Sequence, residues 1–187
     1  MYKAAVIGTS SGGMAALKAI LPLLPAGFSL PVIVVQHVGA NADNYWVGVM
    51  DEMCALHVKE ADEKEQITPG NIYVAPPNYH LLVETDRTLS LSVDEKVNFA
   101  RPSIDVLFES AALAYKKQLV GIVLTGANHD GAKGLKKIKE MGGLAIVQDP
   151  ATADSSYMPA AAIAATQADY IVPVKDIANL LIKIIQL

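Results

Sequence analysis

Three side chains of the kinds used in nucleophilic catalysis each follow a short apolar run. They are Ser10, His37 and Asp130. A serine hydroxyl attacks a carbonyl carbon when a histidine takes its proton, and a carboxylate bonded to the imidazole fixes the tautomer. The apolar runs are typical of buried parallel strands, and ligands bind beyond the carboxyl ends of such strands. The pattern therefore favours a Ser-His-Asp site at that edge of a sheet.

The loop that carries the serine is compatible with three roles. Residues 8–13 read Gly-Thr-Ser-Ser-Gly-Gly, and the glycines permit a tight turn from a strand into a helix. A serine there can be a nucleophile beside backbone N–H groups that hold an oxyanion, or it can simply cap the helix. The same N–H groups can bind a phosphate, although the loop has no Lys and matches neither common nucleotide-binding motif. The loop alone leaves these alternatives open.

His37 and Asp130 also have structural interpretations. A lone histidine is more often a structural hydrogen-bonding residue than a catalyst, and an aspartate before a helix commonly caps it, here the helix predicted over residues 132–141. The coincidence of a Ser, a His and an Asp after three different apolar runs favours the functional interpretation. The other three histidines are weaker candidates for the catalytic base. His57 lies in a strand-like stretch, His80 in a hairpin-like region, and His129 directly beside Asp130.

The elements that must position these residues alternate between apolar runs and helical patterns, which is typical of parallel βα units. A stretch between residues 56 and 92 is instead short, turn-separated and partly alternating, and it predicts an inserted antiparallel hairpin. We therefore predict an α/β fold with a doubly wound, mostly parallel sheet between helices, in three Rossmann-like layers. Strands are predicted at 4–8, 32–36, 119–124, 144–147 and 170–172, hairpin segments at 72–75, 80–84 and 88–92, and helices at 14–24, 42–53, 104–117, 132–141, 159–166 and 177–185.

Composition sets the class of protein. The 187 residues are 52% hydrophobic with a net charge of −4, which predicts one folded domain over residues 1–187 and excludes intrinsic disorder. The absence of a basic stripe disfavours nucleic acid and anionic membranes as partners, and no apolar run approaches the ~20 residues that span a bilayer. The single cysteine, Cys54, is predicted to be a buried apolar side chain, and the chain is predicted to be cytoplasmic.

Five motifs follow one another along the chain: residues 7–13, Gln36-His37, residues 101–108, residues 124–126 with Asp130-Gly131, and Met158-Pro159. In type and order they resemble the catalytic domain of CheB-type chemotaxis protein-glutamate methylesterases. The resemblance implies a doubly wound α/β domain that hydrolyses γ-glutamyl methyl esters on the cytoplasmic helices of chemoreceptors, with a related glutamine deamidase activity and no metal or cofactor. It places the nucleophile on Ser10, the base on His37 and the acid on Asp130, with loop and oxyanion support from Ser11, Gly12 and Ala127.

The chain departs from the family pattern near the site. Ala127 stands where the family usually has a Met associated with the oxyanion hole, Asn128 and His129 replace small residues, and Ala160 follows Met158-Pro159 in place of an Arg. These departures bear on substrate preference more than on the three catalytic candidates. Two alternatives stay open: a catalytically altered or inactive relative that binds a receptor or signalling protein through the same face, and a nucleotide-binding domain that uses the loop at residues 8–13. Since the chain starts at the first predicted strand, without the phosphorylatable receiver domain common in the family, activity independent of phosphodonors is expected.

Overall fold

A seven-stranded parallel sheet forms the centre of the molecule. The computed structural model describes residues 1–186. The strands lie in the order β3-β4-β2-β1-β7-β8-β9, and every neighbouring pair is parallel. A separate antiparallel hairpin pairs β5 with β6. The strands are β1 Ala4–Thr9, β2 Val32–Gln36, β3 His57–Glu60, β4 Asn71–Val74, β5 His80–Val83, β6 Leu89–Ser92, β7 Leu119–Val123, β8 Leu144–Gln148 and β9 Tyr170–Val172.

Helices cover both faces of the sheet. Because side chains alternate along a strand, Ile7 packs on one face and Val6 on the other. The first face lies against α1, α2 and α6, and the second against α3, α4, α5 and the hairpin. The helices are α1 Gly13–Ile20, α2 Tyr45–Met53, α3 Ile104–Tyr115, α4 Ala132–Glu140, α5 Tyr157–Ala165 and α6 Val174–Ile185, with short 3-10 turns at Leu21–Leu23, Lys116–Gln118 and Pro150–Thr152.

The three-layer α/β prediction is confirmed, and two local predictions are wrong, those for residues 72–75 and for the burial of Cys54. The segment at residues 72–75 was expected to belong to the antiparallel hairpin, but Asn71–Val74 is β4 and pairs in parallel with β2 and β3. It is short, as is β3, so neither shows the long apolar run of a central strand. Cys54 packs against the core but is only partly buried, and that burial raises the pKa of its thiol to about 11. Within residues 1–186, every helix falls short of the length and apolar character that a membrane crossing requires.

Candidate active site

The loops that carry the three candidate residues lie side by side where the chain order reverses across the sheet. β1 lies between β2 and β7, so the loops that follow these strands leave the same edge side by side. The backbone N–H of His37 donates to the carbonyl of Thr9 at 3.0 Å, and that of Ser10 donates to the carbonyl of Thr125 at 3.0 Å. Parallel pairing thus brings together residues that are far apart in the chain.

His37 and Asp130 form a close pair. The distance from His37 Nε2 to Asp130 Oδ2 is 2.7 Å, and the two side chains are 12% and 0% exposed. Asp130 accepts from several other donors and is ionised, so the hydrogen of this bond belongs to Nε2. This tautomer leaves the lone pair on Nδ1, the nitrogen that can accept a proton from a nucleophile. Within residues 1–186, the Ser10 hydroxyl makes no hydrogen bond to His37.

The Asp130 carboxylate is held at the N-terminus of α3. Its Oδ2 accepts from the backbone N–H of Ile104 at 2.6 Å, and its Oδ1 accepts from the N–H of Asp105 at 3.1 Å and the hydroxyl of Ser103 at 2.8 Å. Asp130 therefore caps α3 and not α4, the helix that the sequence suggested. Burial raises the pKa of the carboxyl, but hydrogen bonds from His37, Asn98 and Ile104 outweigh it, so the pKa lies below its usual value.

Asp105 makes the reciprocal contact. Its Oδ1 accepts from the backbone N–H groups of Gly131 at 2.9 Å and Gly134 at 2.7 Å. Asp105, which lies in α3, therefore caps α4, and Asp130, which lies just before α4, caps α3. Burial is the main reason that the pKa of Asp105 is raised, and the nearby charge of Asp130 adds to it. The amide of Asn98 lies between the two carboxyls and donates to Asp105 Oδ2 at 2.8 Å and Asp130 Oδ1 at 2.9 Å.

Gln36 fixes the serine and histidine loops to each other. Its amide Nε2 donates to the carbonyls of Ser10 and His37, both at 3.0 Å. Gln36 Oε1 is buried and has no partner in the described residues. Gly13 allows this arrangement, because an added Cβ would meet Gln36 Oε1 and, at 2.5 Å, Thr9 Oγ1. The Gln36 side chain thus adds two bonds between the loops to the backbone bond from His37 to Thr9.

Backbone N–H groups beside Ser10 provide a candidate oxyanion site. In residues 1–186, the N–H groups of Ser11, Gly12 and Ala127 donate to no protein acceptor. Gly12 has a φ of 79°, and a Cβ there would lie 2.6 Å from the Cβ of Asp154, so only glycine suits this corner. The site can therefore combine a nucleophile, a base and donors for a developing negative charge.

An open cleft of about 310 Å³ lies beside His37. The segment after His37 and a turn around Phe99 line it. Asn128 also lines the cleft, and its Oδ1 accepts from the backbone N–H of Asp130 at 3.0 Å. Of the three candidate residues, His37 alone lines the cleft, so the cleft gives access to the imidazole side of the site.

Comparison with known proteins gives the family. The model of the family described as CheB methylesterase matches residues 5–181. The chain belongs to the CheB methylesterase family. A protein from Leptospira interrogans serogroup Icterohaemorrhagiae is 56% identical over 185 residues, which cover 99% of this chain and 96% of that protein.

Longer relatives of this CheB chain carry further sequence. The protein-glutamate methylesterase/protein-glutamine glutaminase of Thermotoga maritima is 36% identical over 186 residues, covering 98% of this chain and 54% of that protein. The chain thus spans about half of the length of that relative. The crystal structure of the Thermotoga maritima CheB methylesterase catalytic domain superposes with a TM-score of 0.94 at 35% identity, covering 98% of this chain and 99% of that chain. The family and fold predicted from the motifs are confirmed.

The structure of this CheB chain brings in residues to which the sequence assigned no role. Gln36, Ser103 and Asp105 lie within the quoted motifs, but spacing alone gave them no function. Asn98 lies just before one of these motifs, and its contact with Asp130 spans 32 positions. A polar residue that reaches buried carboxylates over such separations leaves no periodic signal.

The other three histidines take no part in the bond between His37 and Asp130. His57 is exposed and contacts Asp51, and His129 is exposed beside Asp130. His80 is buried: its Nδ1 accepts from the backbone N–H of Ser103 at 3.2 Å, and its Nε2 donates to the carbonyl of Glu95 at 2.9 Å. His80 therefore supports the segment that leads into α3. Among the departures from the family pattern, Ala127 and Ala160 are exposed and Asn128 lines the cleft.

Proposed function

We propose that this CheB-family chain is a serine hydrolase that removes the methyl group from glutamate 5-O-methyl esters of chemoreceptors and releases methanol. The observation that carries the proposal is the 2.7 Å bond from His37 Nε2 to Asp130 Oδ2, in the loops that adjoin Ser10. It leaves Nδ1 of His37 as the nitrogen that can accept the proton of Ser10. The names of the longer relatives, protein-glutamate methylesterase/protein-glutamine glutaminase, support the reaction class.

The reaction begins at Ser10. Its Oγ attacks the γ-carbonyl carbon of the ester while its proton passes to His37 Nδ1. The carbonyl oxygen becomes an oxyanion that accepts from backbone N–H groups beside Ser10, with Ser11, Gly12 and Ala127 as candidates. Asp130 stabilises the imidazolium, and its low pKa keeps it ionised throughout.

Collapse of the tetrahedral intermediate breaks the bond to the methoxy oxygen. His37 returns its proton to that oxygen, methanol leaves, and a γ-glutamyl ester remains on Ser10. Water then attacks this acyl-enzyme with His37 again as base, which releases the glutamate carboxylate and restores Ser10. A glutamine side chain gives the same acyl-enzyme with ammonia as leaving group, so the glutaminase activity in the relatives' names is compatible with the same residues.

Methanol release from a methylated chemoreceptor tests this function. We expect turnover by the wild-type chain and nearly none by Ser10→Ala or His37→Ala, since removal of either disables the same unit. Ser11→Ala is the matched control, because it removes the adjacent hydroxyl and keeps every backbone donor, and it is expected to retain most activity. Full activity in Ser10→Ala with none in Ser11→Ala would move the nucleophile by one residue. Receptor binding without methanol release would favour a non-catalytic relative, and thermal stabilisation by nucleotide would favour the phosphate-binding alternative.

A further inference from the structure

A strained turn stands on the rim of the cleft. Val97 and Ala100 exchange two backbone hydrogen bonds, of 3.1 and 2.9 Å, so Asn98 and Phe99 form a two-residue corner. Both have positive φ values, 51° and 63°. Tight turns of this kind favour Asn followed by Gly, because a side chain at the second position is strained. Asn98 fits the rule, and Phe99 breaks it.

Phe99 gains no packing in return for this strain. Its side chain is 96% exposed, although it lines the same cleft as His37. The corner is nevertheless fixed relative to the site, because Asn98 donates to both Asp130 and Asp105. An exposed aromatic ring on a strained backbone, next to the residue that binds Asp130, is typical of a contact residue for a partner.

The charge around Phe99 indicates the chemistry of that partner. Lys96 and Arg101 line the cleft, whose lining contains no carboxylate although the whole chain has a net charge of −4. In residues 1–186, neither cation has a carboxylate within 4.0 Å. The Arg101 guanidinium is instead held by Asn78 Oδ1 at 2.7 Å and by the carbonyl of Val93 at 2.7 Å. A basic rim in an acidic protein is complementary to an acidic segment.

We propose that the turn at residues 96–101 is the docking element for an acidic segment of the protein substrate. The ring of Phe99 packs on an apolar side chain close to the esterified glutamate, while Lys96 and Arg101 face carboxylates of the same segment. This docking role rests on the proposed esterase function and adds the residues that select a protein over a small ester. The left-handed corner points the ring away from the domain and toward what enters the cleft.

The test compares two esters in the same enzyme. One is a methylated chemoreceptor, and the other is the γ-methyl ester of N-acetylglutamate amide, which is too small to reach beyond the site. In Phe99→Gly we expect the ratio of kcat/KM for receptor over small ester to fall about tenfold, through KM for the receptor. Glycine suits a positive φ, so the Tm of this variant is expected to equal or exceed the wild-type value. Lost specificity in a fully folded variant cannot come from misfolding.

Matched variants separate docking from general surface effects. Lys96→Glu is expected to raise KM for the receptor. Lys136 is an exposed lysine of α4 outside the cleft, so Lys136→Glu changes the net charge by the same amount and is expected to leave this KM unchanged. Leu113→Ala is the control for Phe99→Gly: it removes an exposed apolar side chain on α3 and is expected to leave the specificity ratio unchanged. An unchanged specificity ratio in Phe99→Gly overturns the docking role. Absence of methanol release by the wild type would instead overturn the proposed function, so the two failures are distinguishable.

Discussion

Replacing Asp130 with asparagine tests how the carboxylate controls His37. Oδ1 accepts from three donors and Oδ2 from two, the N–H of Ile104 and Nε2 of His37. An asparagine has one acceptor oxygen, which takes the side with three donors, so its NH₂ group faces Ile104 and His37. His37 can accept from that group only by moving its proton to Nδ1. The nitrogen left for Ser10 is then no longer a base.

Asp130→Asn is expected to lower both kcat and the free energy of unfolding. The wrong tautomer is expected to lower kcat by about 10³–10⁴-fold, less than the loss in Ser10→Ala, because nucleophile and base are still present. The N–H of Ile104 cannot adjust and is left facing another donor, which lowers the free energy of unfolding by about 1–3 kcal/mol. Methanol-release kinetics and urea denaturation at pH 7 measure the two effects.

The stability effect of this variant depends on pH with a defined sign. The pKa of Asp130 is lowered from 3.8 by folding, so its ionised form stabilises the native state above the pKa of the unfolded chain. That contribution is lost as the pH falls through the lower folded value, where the carboxyl is protonated in both states. The gap in unfolding free energy between wild type and Asp130→Asn is therefore expected to narrow below about pH 4.

Ser103→Ala is the matched control for Asp130→Asn. It removes one donor to Oδ1, where two others remain, and leaves the bond to His37 in place. We expect a loss of about 1 kcal/mol of stability and activity within a few-fold of wild type. Activity in Asp130→Asn within threefold of wild type, or equal losses of activity in both variants, would refute control of the His37 tautomer by Asp130.

Substitutions at Asp105, Gly126 and Gln36 test the contacts that support the site. Asp105→Ala leaves two backbone N–H groups of the α4 terminus unpaired and is expected to cost about 2–4 kcal/mol in urea denaturation. Asp105→Asn keeps the acceptor oxygen for both groups and loses only the bond from the Asn98 side chain, so it is expected to cost less, about 1 kcal/mol; equal losses would contradict the capping role. Gly126→Ala places a Cβ 2.7 Å from Met158 Sδ and 3.0 Å from Ser10 Cβ, so kcat is expected to fall about tenfold. Adding Met158→Ala makes room for this Cβ and is expected to restore part of the lost kcat, which steady-state kinetics measures. Gln36→Leu removes both loop bonds and an unpartnered buried oxygen, so kcat falls about tenfold while the Tm changes little; an unchanged kcat would exclude a positioning role.

The fold was largely predictable because buried parallel strands are continuous apolar runs. All six residues of β1 and all five of β2 are buried, and runs of this kind stand out in the sequence. β3 and β4 were missed as sheet strands for the opposite reason. β3 lies at the edge and begins at the exposed His57, and β4 has only four residues. Strands as short as these take their pairing from the tertiary structure.

The position of the candidate site was predictable, but its supporting contacts were not. Ser10, His37 and Asp130 each follow a strand, and parallel pairing brings such positions to one edge of the sheet. The capping role of Asp130 was assigned to α4, the helix next to it in sequence. The carboxylate instead caps α3, which begins 26 residues earlier at Ile104. Such crossed capping depends on how two helices pack and leaves no local signal.

Covalent labelling tests whether Ser10 is the nucleophile and whether His37 activates it. A fluorophosphonate reacts with a serine that a neighbouring base activates, and mass spectrometry of the digested protein locates the adduct. We expect an adduct on Ser10 in the wild type, a large loss of labelling in His37→Ala, and normal labelling in Ser11→Ala. An adduct on Ser11, or labelling of Ser10 that is as fast without the imidazole of His37, would contradict this expectation.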